Sequence, residues 1–133
     1  MTDQSMFEGW TKLLHPLFPP NAEYSFRPRR RVICVEWLQE DNLGRPDRIL
    51  RTVAIAFTQL AWRGYRGSRS ARRARADVNL IALVKASLAQ SRLDQDMACD
   101  FPSGELRINV ASIDIFPLPK GAAQSRARGL AAR

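Results

Sequence analysis

The sequence predicts an α+β domain in which a small antiparallel three-stranded sheet carries one long helix on a face, with a short N-terminal helix. Two stretches rich in β-branched and aromatic residues lie close together in the chain, separated by turn residues, and a third alternates around residue 108. Between the second and third stretches, apolar residues recur at the three- and four-residue spacing of a long amphipathic helix. These three observations define the predicted fold class.

The N-terminal helix is predicted from apolar residues at helical intervals. These residues are Phe7, Trp10, Leu13, Leu14 and Leu17. Ser5 and Glu8 have the spacing of a capping box, so the helix is expected to begin at Ser5. Pro16 and the Pro19–Pro20 pair are expected to end it.

The first two strands are predicted as a hairpin formed by Arg31–Gln39 and Ile49–Phe57. Between them, residues 40–47 include asparagine, glycine and proline, which are typical of turns. Alternation predicts the side chains that face the core. They are Ile33, Val35 and Trp37 on the first strand, and Ile49, Val53, Ile55 and Phe57 on the second.

Two helices are predicted after the hairpin. Thr58 has a hydroxyl that can cap a short helix over Gln59–Tyr65. The long helix is expected to open at Ser68 or Ser70. Its buried stripe is predicted to be Ala74, Val78, Ile81, Val84 and Leu88.

The third strand is predicted from the alternation of Leu106, Ile108 and Val110. The apolar residues then change phase to Ile113 and Ile115, which favours a β-bulge near residues 111–112. An exposed edge of such a small sheet invites pairing with another chain, so a homodimer through a sheet edge is one expected partnership.

Residues 1–119 are expected to form one domain, and residues 120–133 a disordered basic tail of low hydrophobicity. The chain has 133 residues, 45% hydrophobic and 26% charged, which are ordinary values for a globular protein. No apolar run approaches the roughly 20 residues of a membrane span, and the N-terminal residues, with Asp3 and Glu8 and no basic start before an apolar stretch, are not expected to be a secretory signal. A bacterial, cytoplasmic protein without membrane partners is therefore expected.

Positive charge is concentrated in three stretches that contain no acid: residues 27–31, 63–75 and 120–133. Together they contribute +14 to a net charge of +8, so the rest of the chain is acidic. Arginine outnumbers lysine by 18 to 3, which favours bidentate recognition of phosphate or carboxylate groups. A GC-rich genome would also enrich arginine, so the bias alone does not establish an anion partner.

The hairpin brings the start of its first strand beside the end of its second, so the first two basic stretches are expected to meet near the long helix's N-terminus. Helix N-termini favour anions. The predicted anion-binding residues are Arg29, Arg30, Arg31, Arg63, Arg66, Arg69, Arg72 and Arg73. Carboxylates of the same chain could instead neutralise these arginines.

Trp62 and Tyr65 lie among these arginines and are candidates for stacking on nucleic-acid bases. Large aromatic side chains more often pack in the core, and that alternative is favoured for both residues.

The segment from Ile55-Ala56-Phe57-Thr58 through Ala61-Trp62 to Tyr65 carries a family resemblance, together with the arginine-rich connection and the helix at residues 80–88. This pattern resembles a small uncharacterised proteobacterial family of unknown function. The resemblance covers the middle and C-terminal two thirds of the chain. It implies no activity, cofactor or site residue.

Catalytic and metal sites are not predicted. Residues 94–105 place acids at four positions of an EF-hand loop, but Ala98 and Cys99 replace an essential ligand and the turn glycine. His15 is the only histidine, and Cys34 and Cys99 lack metal-ligand spacing. The chain is therefore expected to be non-enzymatic and without a cofactor.

The leading hypothesis is a non-enzymatic accessory or regulatory module whose arginine-rich end binds an anion, such as nucleic acid or another polyanion. The alternative is a protein-interaction or homo-oligomerising module with a solvated basic surface.

Overall fold

A computed structural model describes residues 1–40, 48–91 and 105–117. The described elements, in chain order, are α1 (Asp3–Leu14), β1 (Glu23–Arg27), β2 (Val32–Glu40), β3 (Arg48–Phe57), α2 (Gln59–Arg66), α3 (Ser70–Ser91), β4 (Glu105–Val110) and α4 (Ser112–Ile115). A 3₁₀ turn, His15–Leu17, follows α1. The predicted tail and most of the EF-hand-like loop lie outside the described residues.

The predicted α+β class is confirmed, with its long helix and its short N-terminal helix, but the sheet differs from the prediction. It has four strands in the order β1-β2-β3-β4 rather than three. The first three strands are antiparallel, whereas β4 runs parallel to β3. The chain segment after β3, which contains α2 and α3, leads back toward the end of the sheet at which β3 begins. β4 therefore runs in the same direction as β3.

The unpredicted strand is β1, a five-residue edge strand paired with β2. Its only large apolar residues are Tyr24 and Phe26, and prolines at positions 20 and 28 flank it. Two alternating residues between prolines give a weak sequence signal. Pairing with the strong β2 strand compensates for that weakness.

The predicted hairpin is confirmed. Ile33 lies opposite Ile55 and Val35 opposite Val53 in the β2–β3 register. These four side chains are fully buried, as the alternation predicts. Of the predicted turn, residues 41–47 lie outside the described part of the chain.

The start of α1 corrects the predicted cap. The helix begins at Asp3, and Thr2 rather than Ser5 is its N-cap. The backbone N–H of Ser5 donates to Thr2 Oγ1 at 3.1 Å, and the N–H of Thr2 donates to Ser5 Oγ at the same distance. Ser5 is thus the far member of a capping box that begins three residues earlier.

The two later helices confirm the predicted positions but correct the buried stripe of α3. Thr58 caps α2 by accepting the N–H of Ala61 at 3.1 Å. In α3 the residues facing the core are Ala76, Leu80, Val84 and Leu88. Ala74 is exposed and Val78 is 66% exposed. Both candidate stripes share Val84 and Leu88 and obey helical spacing, so only packing against the sheet distinguishes them.

The phase change after β4 reflects a helical turn and not a bulge. α4 begins at Ser112, and the Asp114 carboxylate accepts the backbone N–H of Ala111 at 2.8 Å. Ile115 is fully buried by this turn. A change from period two to period 3.6 moves the apolar residues as a bulge would, which explains the incorrect prediction.

The main core lies between the helices and one face of the sheet. Trp10 stacks on Phe57 with ring centroids 4.4 Å apart, and it also contacts the rings of Trp62 and Tyr65. The opposite sheet face carries a separate small cluster of Val32, Ala54 and Ala56. Within the described residues, no helix is long and apolar enough to cross a membrane.

Candidate anion-binding site

The turn between β1 and β2 meets the end of β3, as the hairpin predicts. The Phe57 N–H donates to the Arg31 carbonyl at 2.9 Å, and Arg31 Nε donates to the Phe57 carbonyl at 3.1 Å. Arg31 adopts a positive φ of 54° at this junction. The chain then enters α2 and the N-terminus of α3, so both basic stretches begin at the same end of the sheet.

Three of the predicted anion-binding arginines make polar contacts through their side chains within the described structure. Arg31 contacts Phe57 as described above. Arg66 Nη1 lies 3.4 Å from Asp3 Oδ1, and Arg73 Nη1 lies 3.3 Å from Met1 Sδ. The contacts of Arg66 and Arg73 join the N-terminal residues to α2 and α3, and that of Arg31 joins the β1–β2 turn to the end of β3, so these arginines have roles in the fold.

The nearby acids are mostly bound to groups other than arginine. Trp62 Nε1 donates to Asp3 at 3.0 Å, the Tyr65 hydroxyl donates to Asp77 at 2.7 Å, and Asp114 caps α4. The sequence raised the alternative that carboxylates of the same chain neutralise the arginines. Among residues 1–40, 48–91 and 105–117, Arg66 is the one predicted anion-binding residue that forms an ion pair with a carboxylate.

Arg69, Arg72 and Arg75, here called the α3 arginine group, are exposed near the start of α3. They line a groove of about 790 Å³ between α3 and α4, together with Asn79, Ile115 and Phe116. The Arg72 guanidinium lies 4.3 Å above the centre of the Phe116 ring. Among the described residues, no carboxylate forms an ion pair with the α3 arginine group or with Arg63.

The groove is fixed by two contacts of α4 with the preceding helices. Asn79 Nδ2 donates to the Ile115 carbonyl at 3.0 Å, which holds α4 against α3. Gly64 of α2 allows Phe116 to approach closely, because a Cβ built at Gly64 would lie 3.2 Å from Phe116 Cε2. These contacts hold the Phe116 ring beneath the Arg72 guanidinium.

The predicted residues Arg29 and Arg30 belong to the β1–β2 turn and are exposed. Arg30 lines a separate hollow of about 380 Å³ on the helix-free face of the sheet, together with Arg27 and Arg107. Arg30 and the α3 arginine group thus border two different depressions.

Trp62 and Tyr65 are only 5% and 7% exposed, respectively. Trp62 stacks on Phe26 at 5.4 Å, and Tyr65 packs against Trp10 at 4.6 Å. Neither ring is open to a nucleic-acid base in this conformation, and their burial supports the packing alternative. They position α2 and do not belong to the groove.

Arg75, Asn79 and Phe116 were missed as site residues. Arg75 continues the basic run three residues after Arg72, so helical spacing could have included it. Nothing in the sequence indicated Phe116 as a site residue. Its position depends on α4, a helical turn where the sequence predicted a β-bulge.

The other candidate chemistry gains no support from the structure. Among the described residues, no three metal-ligating side chains are close enough to hold an ion. His15 is exposed in the 3₁₀ turn after α1, and Cys34 is a free thiol on β2. Cys99 and the acids at positions 94–100 lie outside the described residues.

The raised pKa of Tyr65 leads us to expect a loss of folding stability at alkaline pH. Burial, and then the hydrogen bond to Asp77, raise its pKa above the usual value of 10.0. An unfolded Tyr65 loses its proton near pH 10, whereas the folded residue keeps it, so stability present below pH 10 is lost as the pH rises further. Urea unfolding on either side of pH 10 should show this decline. The decline should be smaller for Tyr65→Phe, and an equal decline in both proteins would contradict the assignment.

Comparison with known proteins finds no match to a family model, a curated protein or a solved structure. The resemblance to the uncharacterised proteobacterial family therefore stays a prediction.

Proposed function

We propose that the protein is a non-enzymatic accessory module that binds nucleic acid through phosphate contacts of the α3 arginine group. The observation that carries this proposal is the exposure of Arg69, Arg72 and Arg75 along one groove, without a carboxylate partner among the described residues. Arg63, exposed on α2, adds a fourth cation nearby.

The electrostatics of α3 favour an external anion. Its first turn contains two arginines and no acid, although the positive end of a helix dipole disfavours cations. A phosphate bound there would offset that repulsion and could accept two N–H bonds from one guanidinium. The ring of Phe116 also holds the Arg72 guanidinium, which reduces the conformational entropy lost on binding.

Fluorescence anisotropy with labelled duplex DNA, single-stranded DNA and RNA tests the proposal. Binding is expected at low salt for at least one of these probes, with an affinity that falls steeply as salt is added, because phosphate contacts release counterions. No binding to any of them at low salt would contradict the proposed function.

A pair of matched variants locates the contact. Arg69→Gln combined with Arg75→Gln removes two charges from the groove and leaves the Arg72–Phe116 contact in place. Lys12→Gln combined with Lys85→Gln removes the same charge from exposed sites elsewhere on α1 and α3. The arginine variant should reduce the slope of log affinity against log salt by about 2. An equal effect in the lysine variant would indicate nonspecific attraction instead.

A further inference from the structure

β1 is an outer strand of the sheet, with β2 on one side. Within residues 1–40, 48–91 and 105–117, no strand pairs with its other side. A free strand edge presents unpaired backbone N–H and C=O groups that another strand can bind. A homodimer through a sheet edge was expected from the sequence, although β1 itself was not predicted. The hydrogen bonds around β2 show which groups of β1 are free.

Two hydrogen bonds fix the directions in which β2 points its backbone groups. The carbonyl of Arg31, next to β2, accepts the N–H of Phe57 from β3 at 2.9 Å. On the side of β1, the Leu38 carbonyl accepts Nδ2 of Asn21 at 3.1 Å. Backbone groups alternate in direction along a strand, so the odd-numbered residues of β2 face β3 and the even-numbered residues face β1.

Tyr24 and Phe26 point their backbone groups to the free edge of β1. They lie opposite Val35 and Ile33, which are odd-numbered residues of β2 and bond to β3. Because each residue has one N–H and one C=O, this edge presents two donors and two acceptors. The other residues of β1 lie opposite even-numbered residues and bond to β2.

These four groups select one register for an antiparallel second copy. If Tyr24 lies opposite Phe26 of the copy, each N–H meets a C=O and all four groups are satisfied in both chains. A pair centred on Tyr24 would set Phe26 against Ala22, whose N–H already donates to the Pro19 carbonyl at 3.0 Å. A pair centred on Phe26 would set Tyr24 against Pro28, which has no N–H. Either alternative lacks a donor.

The side chains of β1 agree with the same register. Glu23 then lies opposite Arg27 of the copy, twice, and Tyr24 lies opposite Phe26 twice. Opposite charges and aromatic rings are favourable cross-strand pairs. Glu23 and Arg27 are both exposed, and neither forms an ion pair within the described residues. The strand Glu23–Arg27 is therefore complementary to its own reverse.

We propose that a second copy of this chain adds to the free edge of β1 through antiparallel β1–β1 pairing. The two four-stranded sheets then become one continuous sheet, with a twofold axis perpendicular to it at Ser25. The occupant is a second copy because the backbone groups, the charges and the rings all match under one symmetry operation. Five residues per strand form a small contact, so the dimer is weak.

A hollow of about 500 Å³ borders this edge. It is lined by residues of α1 and by β1 with the proline after it: Asp3, Gln4, Phe7, Tyr24, Ser25, Phe26 and Pro28. The half-buried Phe7 ring lies 5.2 Å from the Phe26 ring. The rings of a second copy would enter this space, which buries aromatic surface on both sides of the axis.

β4, the other outer strand, does not match its own reverse. A symmetric pair centred on Arg107 would place that arginine against itself, which is repulsive. A pair centred on Ile108 would set Glu105 against Ala111, so its charge would have no partner. The charge pattern therefore favours β1 as the dimer edge.

Sedimentation equilibrium over micromolar to submillimolar concentrations is the test. The wild-type chain should dimerise, and Arg27→Glu should weaken the dimer roughly ten-fold, because two attractive pairs become repulsive. Glu23→Arg combined with Arg27→Glu in one chain recreates both pairs and should restore the wild-type affinity. Lys12→Glu makes the same charge change at an exposed site on α1 and should have no effect.

Three results would overturn the proposal. They are a wild-type monomer at all concentrations, an Arg27→Glu dimer as tight as wild type, and a double variant that associates no better than Arg27→Glu. Circular dichroism verifies that each variant is folded. Nucleic-acid binding by the α3 arginine group uses other residues, so failure of either proposal leaves the other intact.

Disulfide formation reports the register independently. Ser25 lies opposite itself in a pair without mutual hydrogen bonds, with Cα atoms ~4.5 Å apart, which suits a disulfide. Ser25→Cys is made with Cys34→Ala and Cys99→Ser, because Cys34 lies opposite Ser25 within one chain. Mild oxidation should link this variant into dimers, whereas Lys85→Cys on the exposed side of α3 should stay unlinked in the same background. Equal linkage of both variants, or none at concentrations where the dimer is populated, would contradict this register.

Discussion

Trp10→Ala is expected to lower the free energy of unfolding by about 3–5 kcal/mol. Trp10 is the central ring of the core, stacked on Phe57 and in contact with Trp62 and Tyr65 from α2. Its loss leaves a cavity between α1, α2 and the sheet that these rigid rings cannot fill by small movements. Urea unfolding followed by circular dichroism measures the change.

A matched truncation at the surface controls for the loss of apolar volume. Leu60 lies on α2 and is largely exposed, so Leu60→Ala should change stability by no more than about 0.5 kcal/mol. A loss below about 1 kcal/mol for Trp10→Ala would mean that this aromatic cluster does not hold the helices on the sheet.

Gly64→Val is expected to destabilise the fold by about 1–3 kcal/mol through overpacking. A Cβ at Gly64 already lies 3.2 Å from Phe116, and the two methyl groups of valine would push that ring away from α2. Displaced Phe116 would no longer support Arg72, so nucleic-acid affinity should fall together with stability. Urea unfolding and fluorescence anisotropy provide the two measurements.

Gly9→Val is the matched control, because it makes the same change in another helix. Nothing lies within 4 Å of a Cβ at Gly9, so the substitution should leave stability nearly unchanged. Valine has a higher helix propensity than glycine, so equal losses at both positions would show that the contact with Phe116 does not determine the effect.

The sequence predicted those elements whose local signals agree with their packing. The hairpin followed from strict alternation around Ile33 and Ile55, and α2 from the cap at Thr58. β1 was missed because two alternating residues between prolines give a weak local signal, and α4 because its change of phase is the one that a bulge would also produce. The prediction of which face of α3 is buried was wrong for a related reason. Two apolar stripes on this helix have the same spacing, and packing against the sheet decides which one is buried.

The candidate site was predicted in part. Clustering of arginines was visible in the sequence, as was their placement at one end of the hairpin. The contacts of Arg31, Arg66 and Arg73 were not, because each depends on a residue from a distant element: Phe57, Asp3 or Met1. Sequence therefore identified the basic region, and tertiary contacts separated its structural arginines from the exposed α3 arginine group.

The most direct test of the central claim is a nuclear magnetic resonance titration that observes the arginine Nε–Hε groups while a short nucleic acid is added. The proposed function predicts saturable shifts at Arg69, Arg72 and Arg75, with little change at Arg27 and Arg107 on the helix-free face of the sheet. Shifts confined to Arg27 and Arg107, or no shift at any arginine, would contradict binding by the α3 arginine group.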